Sequence, residues 1–131
     1  MTRPTIGQVA KRAGVGVETV RFYERRGLIE QPNKRSSGYR VYPEDVVHRI
    51  RFIRHAKDLG FTLNEIGELL SLRPDPHGNC DAVKESAEAK VADIEEKIGS
   101  LTRMRHSLGR LIEACESRSE TAECPILEAL E

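Results

Sequence analysis

The sequence predicts an all-α protein with a small β wing: a winged helix-turn-helix head followed by one long helix that needs a partner. Three observations predict it. Of the 131 residues 38% are hydrophobic, 5% aromatic and 32% charged, a balance that suits thin helical layers better than a thick core. Two short amphipathic stretches flank Gly14-Val15-Gly16 near the start, and a stripe of apolar residues runs at helical spacing from Ala87 to Cys115 with no proline in it.

Thr5-x-x-Gln8 is a capping-box pattern, and Ile6, Val9, Ala10 and Ala13 fall on one face of the helix it opens. After the glycine turn, a second helix over about 17–26 lines up Val17, Val20 and Tyr23 or Glu24, and Gly27 supplies a left-handed stop. Helix, glycine turn and helix in so short a span make a helix-turn-helix candidate. Asn33 to Gly38 reads as a polar turn, and Tyr39-Arg40-Val41-Tyr42 as a short strand, together a small basic wing. Pro43 is expected at a helix N-terminus with Glu44 and Asp45 in the first turn, followed by Val46, Ile50, Ile53 and Ala56 or Lys57 up to Gly60. Thr62-x-x-Glu65 is a second capping box, leading into Ile66, Leu69 and Leu70. Arg73-Pro74-Asp75-Pro76-His77-Gly78-Asn79 then breaks the pattern. The expected division is a head over 1–72, a linker over 73–80, a dimerisation helix over 81–115 and a loop with C-terminal segment over 116–131.

In the long helix Ala87, Val91, Ile94, Ile98, Leu101, Met104, Leu108, Leu111 and Cys115 recur at steps of three and four, a near-heptad seam with one shortened step. At 1.5 Å per residue such a helix is about 50 Å long, too long for a narrow stripe to be buried within a monomer of this size. A homodimer is the economical partner; a break near Gly99 with an intramolecular hairpin is the alternative.

The formal net charge is zero, yet residues 1–60 carry 13 basic and 6 acidic side chains while residues 61–131 carry 8 and 15. A +7 half beside a −7 half fits a polyphosphate partner. In the expected recognition helix Glu18, Thr19, Arg21 and Tyr23 can meet base edges and phosphates, and Arg35, Tyr39 and Arg40 on the wing, with Lys34, extend that footprint. Arg49, Arg51, Arg54 and Lys57 are divided between phosphate contacts and solubilising charges. No phosphate-binding loop, His-Glu-x-x-His run or serine-nucleophile motif occurs, so an enzyme is not expected. No run is apolar enough to span a bilayer or serve as a secretion signal, and a soluble cytoplasmic protein is expected. Cys80, Cys115 and Cys124 are too few and too spread for a disulfide framework; as free thiols they are buried small residues, a nucleophile, or soft metal ligands.

Ile6-Gly7-x-Val9-Ala10, Val15-x-x-Glu18-Thr19-Val20-Arg21-Phe22-Tyr23-Glu24-x-x-Gly27-Leu28-Ile29, Gly38-Tyr39-Arg40-x-Tyr42 and Leu59-Gly60-Phe61-Thr62-Leu63-x-Glu65-Ile66 resemble the MerR family of transcriptional regulators. The resemblance implies a winged helix-turn-helix head, an antiparallel coiled-coil homodimer and an effector site near the far end of the long helix. It further implies double-stranded promoter DNA with an overlong spacer, untwisted by the effector-bound dimer so that RNA polymerase can use it.

In an antiparallel dimer the start of one helix lies beside the end of the other, so Cys80 of one chain can join Cys115 and Cys124 of its partner as a three-thiolate site. Asn79-Cys80, Cys115-x8-Cys124-Pro125-Ile126 and Ala89-Lys90-Val91-x-Asp93-Ile94-x-Glu96-Lys97 resemble the mercuric-ion-responsive branch of the family. That resemblance implies Hg(II) as effector ion, with repression by the apo dimer and activation by metal-induced promoter distortion. Three thiolates without a fourth donor suit a large soft ion better than tetrahedral zinc. Lead, cadmium or zinc sensing with the same cysteines is the alternative, and His77, three residues before Cys80, is a candidate fourth donor. A metal buffer would explain the thiols but not the basic head.

Overall fold

Most of the capping and glycine signals are realised in the computed structural model, which describes residues 3–34 and 40–131. Among these residues the elements are α1 (Ile6–Ala13), α2 (Val17–Arg25), β1 (Asn33–Lys34), β2 (Arg40–Val41), α3 (Val46–Asp58), α4 (Leu63–Leu72), α5 (Cys80–Glu116) and α6 (Pro125–Ala129). The chain divides into two units, residues 1–86 and 87–131, with the boundary inside α5.

In the first unit α1 packs against α2 and α3, and α4 packs against α3. Val9, Val20, Ile50, Ile53 and Ile66 are fully buried where these helices meet, with Tyr42 beside them. Local signals fix the helix ends. The Thr5 amide donates to Gln8 Oε1 at 3.0 Å; at α4 the box closes both ways, Thr62 N to Glu65 Oε1 at 2.8 Å and Glu65 N to Thr62 Oγ1 at 3.2 Å. These bonds occupy amides that have no intrahelical partner. Gly14 (φ 72°) and Gly27 (φ 74°) are left-handed, so the Val15 and Leu28 amides fold back onto the carbonyls of Ala10 and Tyr23 and end α1 and α2.

The wing is an antiparallel pair with Asn33 opposite Val41 and Lys34 opposite Arg40. Asn33 and Lys34, expected in the turn, are therefore strand, because a lone strand has no ladder partner. The strand is moored to the head by Tyr42 N donating to Pro4 O at 2.9 Å. Pro43 does not begin α3. It opens a turn closed by Val46 N to Pro43 O at 3.2 Å, and the helix starts at Val46 with Asp45 as N-cap.

α5 passes through Gly99 unbroken, which removes the hairpin alternative. In the second unit the predicted stripe lies open: Val91, Ile94, Ile98, Leu101, Met104 and Leu108 are all exposed, Ile98 at 58% and Leu101 at 61%. Leu130, just past α6, lines an open apolar depression with Met104, Leu108 and Leu111. Pro125 begins α6, since the first helical position needs no amide donor. Among the described residues no helix is long and apolar enough to cross a membrane.

Candidate functional site

Two surfaces carry chemistry, one in each unit, and a third group of residues stands at the start of α5. The first is the exposed flank of the helix-turn-helix. Glu18 and Arg21 project from the first turns of α2 with side chains 82% and 53% exposed, joined by an ion pair at 2.9 Å, and Thr19 is half-buried beside them. Ile6, Arg21, Glu24, Arg25 and Tyr42 line a recess of about 340 Å³. At one wall of it the Tyr42 hydroxyl donates to the Glu24 carboxylate. Arg40 lies in β2, while Arg35 and Tyr39 lie outside the described residues.

Tyr23 departs from its expected place on this flank. It is 3% exposed and part of the core, which confines any DNA contact to the little of it that reaches the surface. Burial raises its hydroxyl pKa and the nearby Arg54 charge draws it part of the way back. The core needed a large residue one turn beyond Val20, and Tyr23 fills it; the i, i+3 pattern carried that signal. The α3 arginines also depart from expectation. Arg49, Arg51 and Arg54 donate to backbone carbonyls of Leu28, Arg12 and Ala13 within the head.

The second surface lies at the end of α5. Cys115 sits in its last turn, the chain turns through Ser119–Ala122, and Cys124 is the N-cap of α6. This return brings the two thiols together, close enough for Cys115 to help hold the Cys124 thiol pKa down. The Cys124 thiol is held below the ordinary thiol range, first by the Leu127 amide and then by the Ile126 amide at the start of α6, with smaller help from Cys115 and the Arg118 charge, while desolvation opposes. The Cys124 side chain makes no capping hydrogen bond at the start of α6. Arg118 donates to Cys115 Sγ at 3.2 Å and also to the Cys115 carbonyl. Sequence reasoning missed Arg118; its signal was a lone cation three residues past a cysteine at a helix C-terminus.

Cys80 opens α5, thirty-five residues before Cys115 along the same helix. The linker places it. Asn79 Nδ2 donates to the Leu72 carbonyl at 2.9 Å and its amide to Asp75 O at 3.0 Å, so the chain folds back over the end of α4 before entering α5. Cys80 is exposed and, with Phe52, Leu69, Leu72 and Val83, lines an apolar cavity of about 250 Å³. Arg73 stands over the Phe52 ring at 5.4 Å from its centroid at the mouth. His77 is exposed in the linker. Among the described residues no three His, Cys, Asp or Glu side chains of one chain converge. A single chain thus supplies two soft donors together at one end of α5 and a third at the other.

Known proteins are similar to this chain. Residues 5–72 match the MerR HTH family regulatory protein family, and residues 47–111 match the MerR DNA-binding family. The chain is 44% identical to a mercuric resistance operon regulatory protein of Pseudomonas fluorescens over 127 residues, 97% of this chain and 87% of the relative. It is 41% identical to the HTH-type transcriptional regulator ZntR of Escherichia coli K12, over 96% of this chain and 91% of that one. Two solved structures are similar throughout. PbrR691 of Ralstonia metallidurans CH34 in complex with lead(II) has a TM-score of 0.83 at 36% identity and covers 100% of both chains. The dual-function regulator MerR of Bacillus megaterium MB1 in complex with mercury(II) has a TM-score of 0.75 at 38% identity over 97% of this chain and 98% of that one.

Proposed function

Since the chain belongs to the MerR family of helix-turn-helix regulatory proteins, we propose that it is a Hg(II)-responsive transcriptional regulator of a mercury resistance operon, working as a cytoplasmic homodimer on promoter DNA. The observation that carries this reading is the division of thiols, Cys115 and Cys124 together at one end of α5 and Cys80 alone at the other. Two antiparallel copies complete a three-thiolate site at each end of the pair. The exposed stripe from Val91 to Leu108 is the surface that brings the copies together. The donor set fits a soft, low-coordinate ion, which thiolates select over harder competitors. The mercuric regulator names of the relatives and the mercury(II) complex of a similar structure support that choice.

Glu18, Thr19 and Arg21 at the start of α2 then read base edges, with Arg40 and, from the sequence, Arg35 and Tyr39 on backbone phosphates. Without metal the dimer holds the promoter inactive. When Cys80 of one chain is tied to Cys115 and Cys124 of the other, each head is coupled to the far end of its partner's helix, and the change in angle between heads deforms the duplex for RNA polymerase. A lead, cadmium or zinc sensor using the same cysteines is the second reading, favoured by the lead(II) complex of a similar structure and by the zinc-regulator name of a 41% identical relative.

The test is an anaerobic titration of the reduced protein with Hg(II), Pb(II), Cd(II), Zn(II) and Cu(I) under thiol competition. One tight mercury per chain that outcompetes the other ions, lost in each of Cys80→Ser, Cys115→Ser and Cys124→Ser while apo DNA affinity stays intact, is the expected result. Stronger retention of lead, cadmium or zinc replaces the signal with that ion. No tight metal at all overturns the sensor reading.

A further inference from the structure

We propose that Arg49, Arg51 and Arg54 are positioning residues for DNA recognition: they fasten the end of α1 that leads into α2, and the chain that leaves α2, to α3, so that α2 is presented to the duplex in a fixed position. Their place on an exposed, basic helix invites the opposite view, that they are phosphate ligands. Their hydrogen bonds run inward. Arg51 Nη2 donates to the Arg12 carbonyl at 2.9 Å and Arg54 Nη1 to the Ala13 carbonyl at 2.9 Å. These are among the last carbonyls of α1, which lack intrahelical partners and carry the negative end of the helix dipole. A guanidinium there supplies a donor and a matching charge together. Arg49 Nε donates to the Leu28 carbonyl at 2.8 Å, just past the end of α2.

The three bonds bracket the reading helix. Ala13 leads through Gly14 and Gly16 into Val17, the first residue of α2, and Leu28 follows the glycine stop at its other end. From two different faces α3 thus holds the turn that leads into α2, through Arg51 and Arg54, and the exit of α2, through Arg49, across sequence separations of 39, 41 and 21 residues. Gly14 shows how close the fit is: a Cβ there would lie 3.0 Å from Arg54 Nη1, on a residue that already has φ +72°. Behind the clamp Tyr23 of α2 is buried against the same core as Ile50 and Ile53 of α3, so apolar packing and the three polar bonds fix the same relation between the helices. Three of the 13 basic side chains in residues 1–60 are in this way committed to carbonyls.

The inference rests on DNA binding by the head, and salt dependence separates the two roles. The probes are a duplex selected from a random library by the wild-type protein and a scrambled duplex of the same composition. Each is titrated with the full-length protein and its Arg54→Met and Arg54→Lys variants across a salt series. A phosphate ligand lost to methionine lowers the slope of log K against log salt by about 0.9 and weakens both duplexes equally, and lysine restores both. A clamp behaves otherwise. Both variants lose roughly tenfold of the preference for the selected duplex, as expected when a charge-assisted bond to backbone is broken, with the salt slope unchanged. Amide exchange at Gly14–Val17 in the DNA-free protein rises in both. The phosphate pattern overturns the proposal, and so does wild-type discrimination in both variants. Arg54→Lys keeps a cation beside the α1 carbonyls and carries the test if Arg54→Met does not fold. A wild-type protein that selects no duplex refutes the DNA reading instead, and the exchange experiment still decides the clamp.

Discussion

The head and the long helix are both helical, yet they bury their apolar residues in opposite ways. In the head Val9, Val20, Ile50, Ile53 and Ile66 are closed off by their own chain. Along α5 Val91, Ile98, Leu101 and Met104, of the same chemical kind, remain more than half exposed. The difference lies in geometry. Four short helices can surround a common centre, whereas a single rod offers its stripe to nothing in its own chain. A helix of 37 residues with that stripe is half of a structure, and the head is a whole one.

The sharpest way to break this contrast is to delete comparable side chains on the two sides. Ile53→Ala should destabilise the head by about 2–5 kcal/mol through lost burial and a residual cavity, read as a lowered midpoint in urea that does not depend on protein concentration. Ile98→Ala should weaken a dimer by about 1.5–3 kcal/mol per side chain removed from the seam, read by sedimentation as dissociation at higher concentration. A concentration-independent response at Ile98 would mean that the stripe is not an interface between copies.

A second contrast lies within the head, between Arg21, paired with a neighbouring side chain, and the α3 arginines, bonded to carbonyls of distant residues. Arg21→Ala should weaken duplex binding by about 1–3 kcal/mol if it holds a base edge, and its loss should be visible on a selected duplex across a salt series. Unaltered affinity would remove Arg21 from the contact surface. The smallest effect is expected at a purely local device. Thr62→Ala opens the capping box of α4 and should cost about 1 kcal/mol of stability, leaving DNA affinity and metal stoichiometry as they were; a change in either would give α4 a role beyond support.

The readable part of the fold was the part written over three or four residues. Thr5 with Gln8 and Thr62 with Glu65 marked helix starts, Gly14 and Gly27 marked stops, and the α5 stripe was continuous enough to mark a rod. The candidate thiols were legible as residue types, and the expected three-thiolate site already put Cys115 and Cys124 together. The short helix that Pro125 begins, with Cys124 as its N-cap, was not legible, because it depends on the turn before it. Tyr23 was read both on the apolar side of α2 and among the DNA-facing residues, because an amphipathic tyrosine suits a core and a DNA surface equally well; packing puts its ring in the core.

The sequence by itself determined the helical class, most of the punctuation of the head, the separation of charge into two halves and the apolar stripe along the long helix. All of these follow from local propensity, capping and periodicity, which act within a turn or two of chain. Only the tertiary structure decided which cations face solvent and which face carbonyls. Arg49, Arg51 and Arg54 meet partners 21 to 41 residues away, and a guanidinium reads the same in sequence whether it meets a phosphate or a helix end. Where it points is set by the packing of α1 and α2 on α3, a relation that no local pattern encodes.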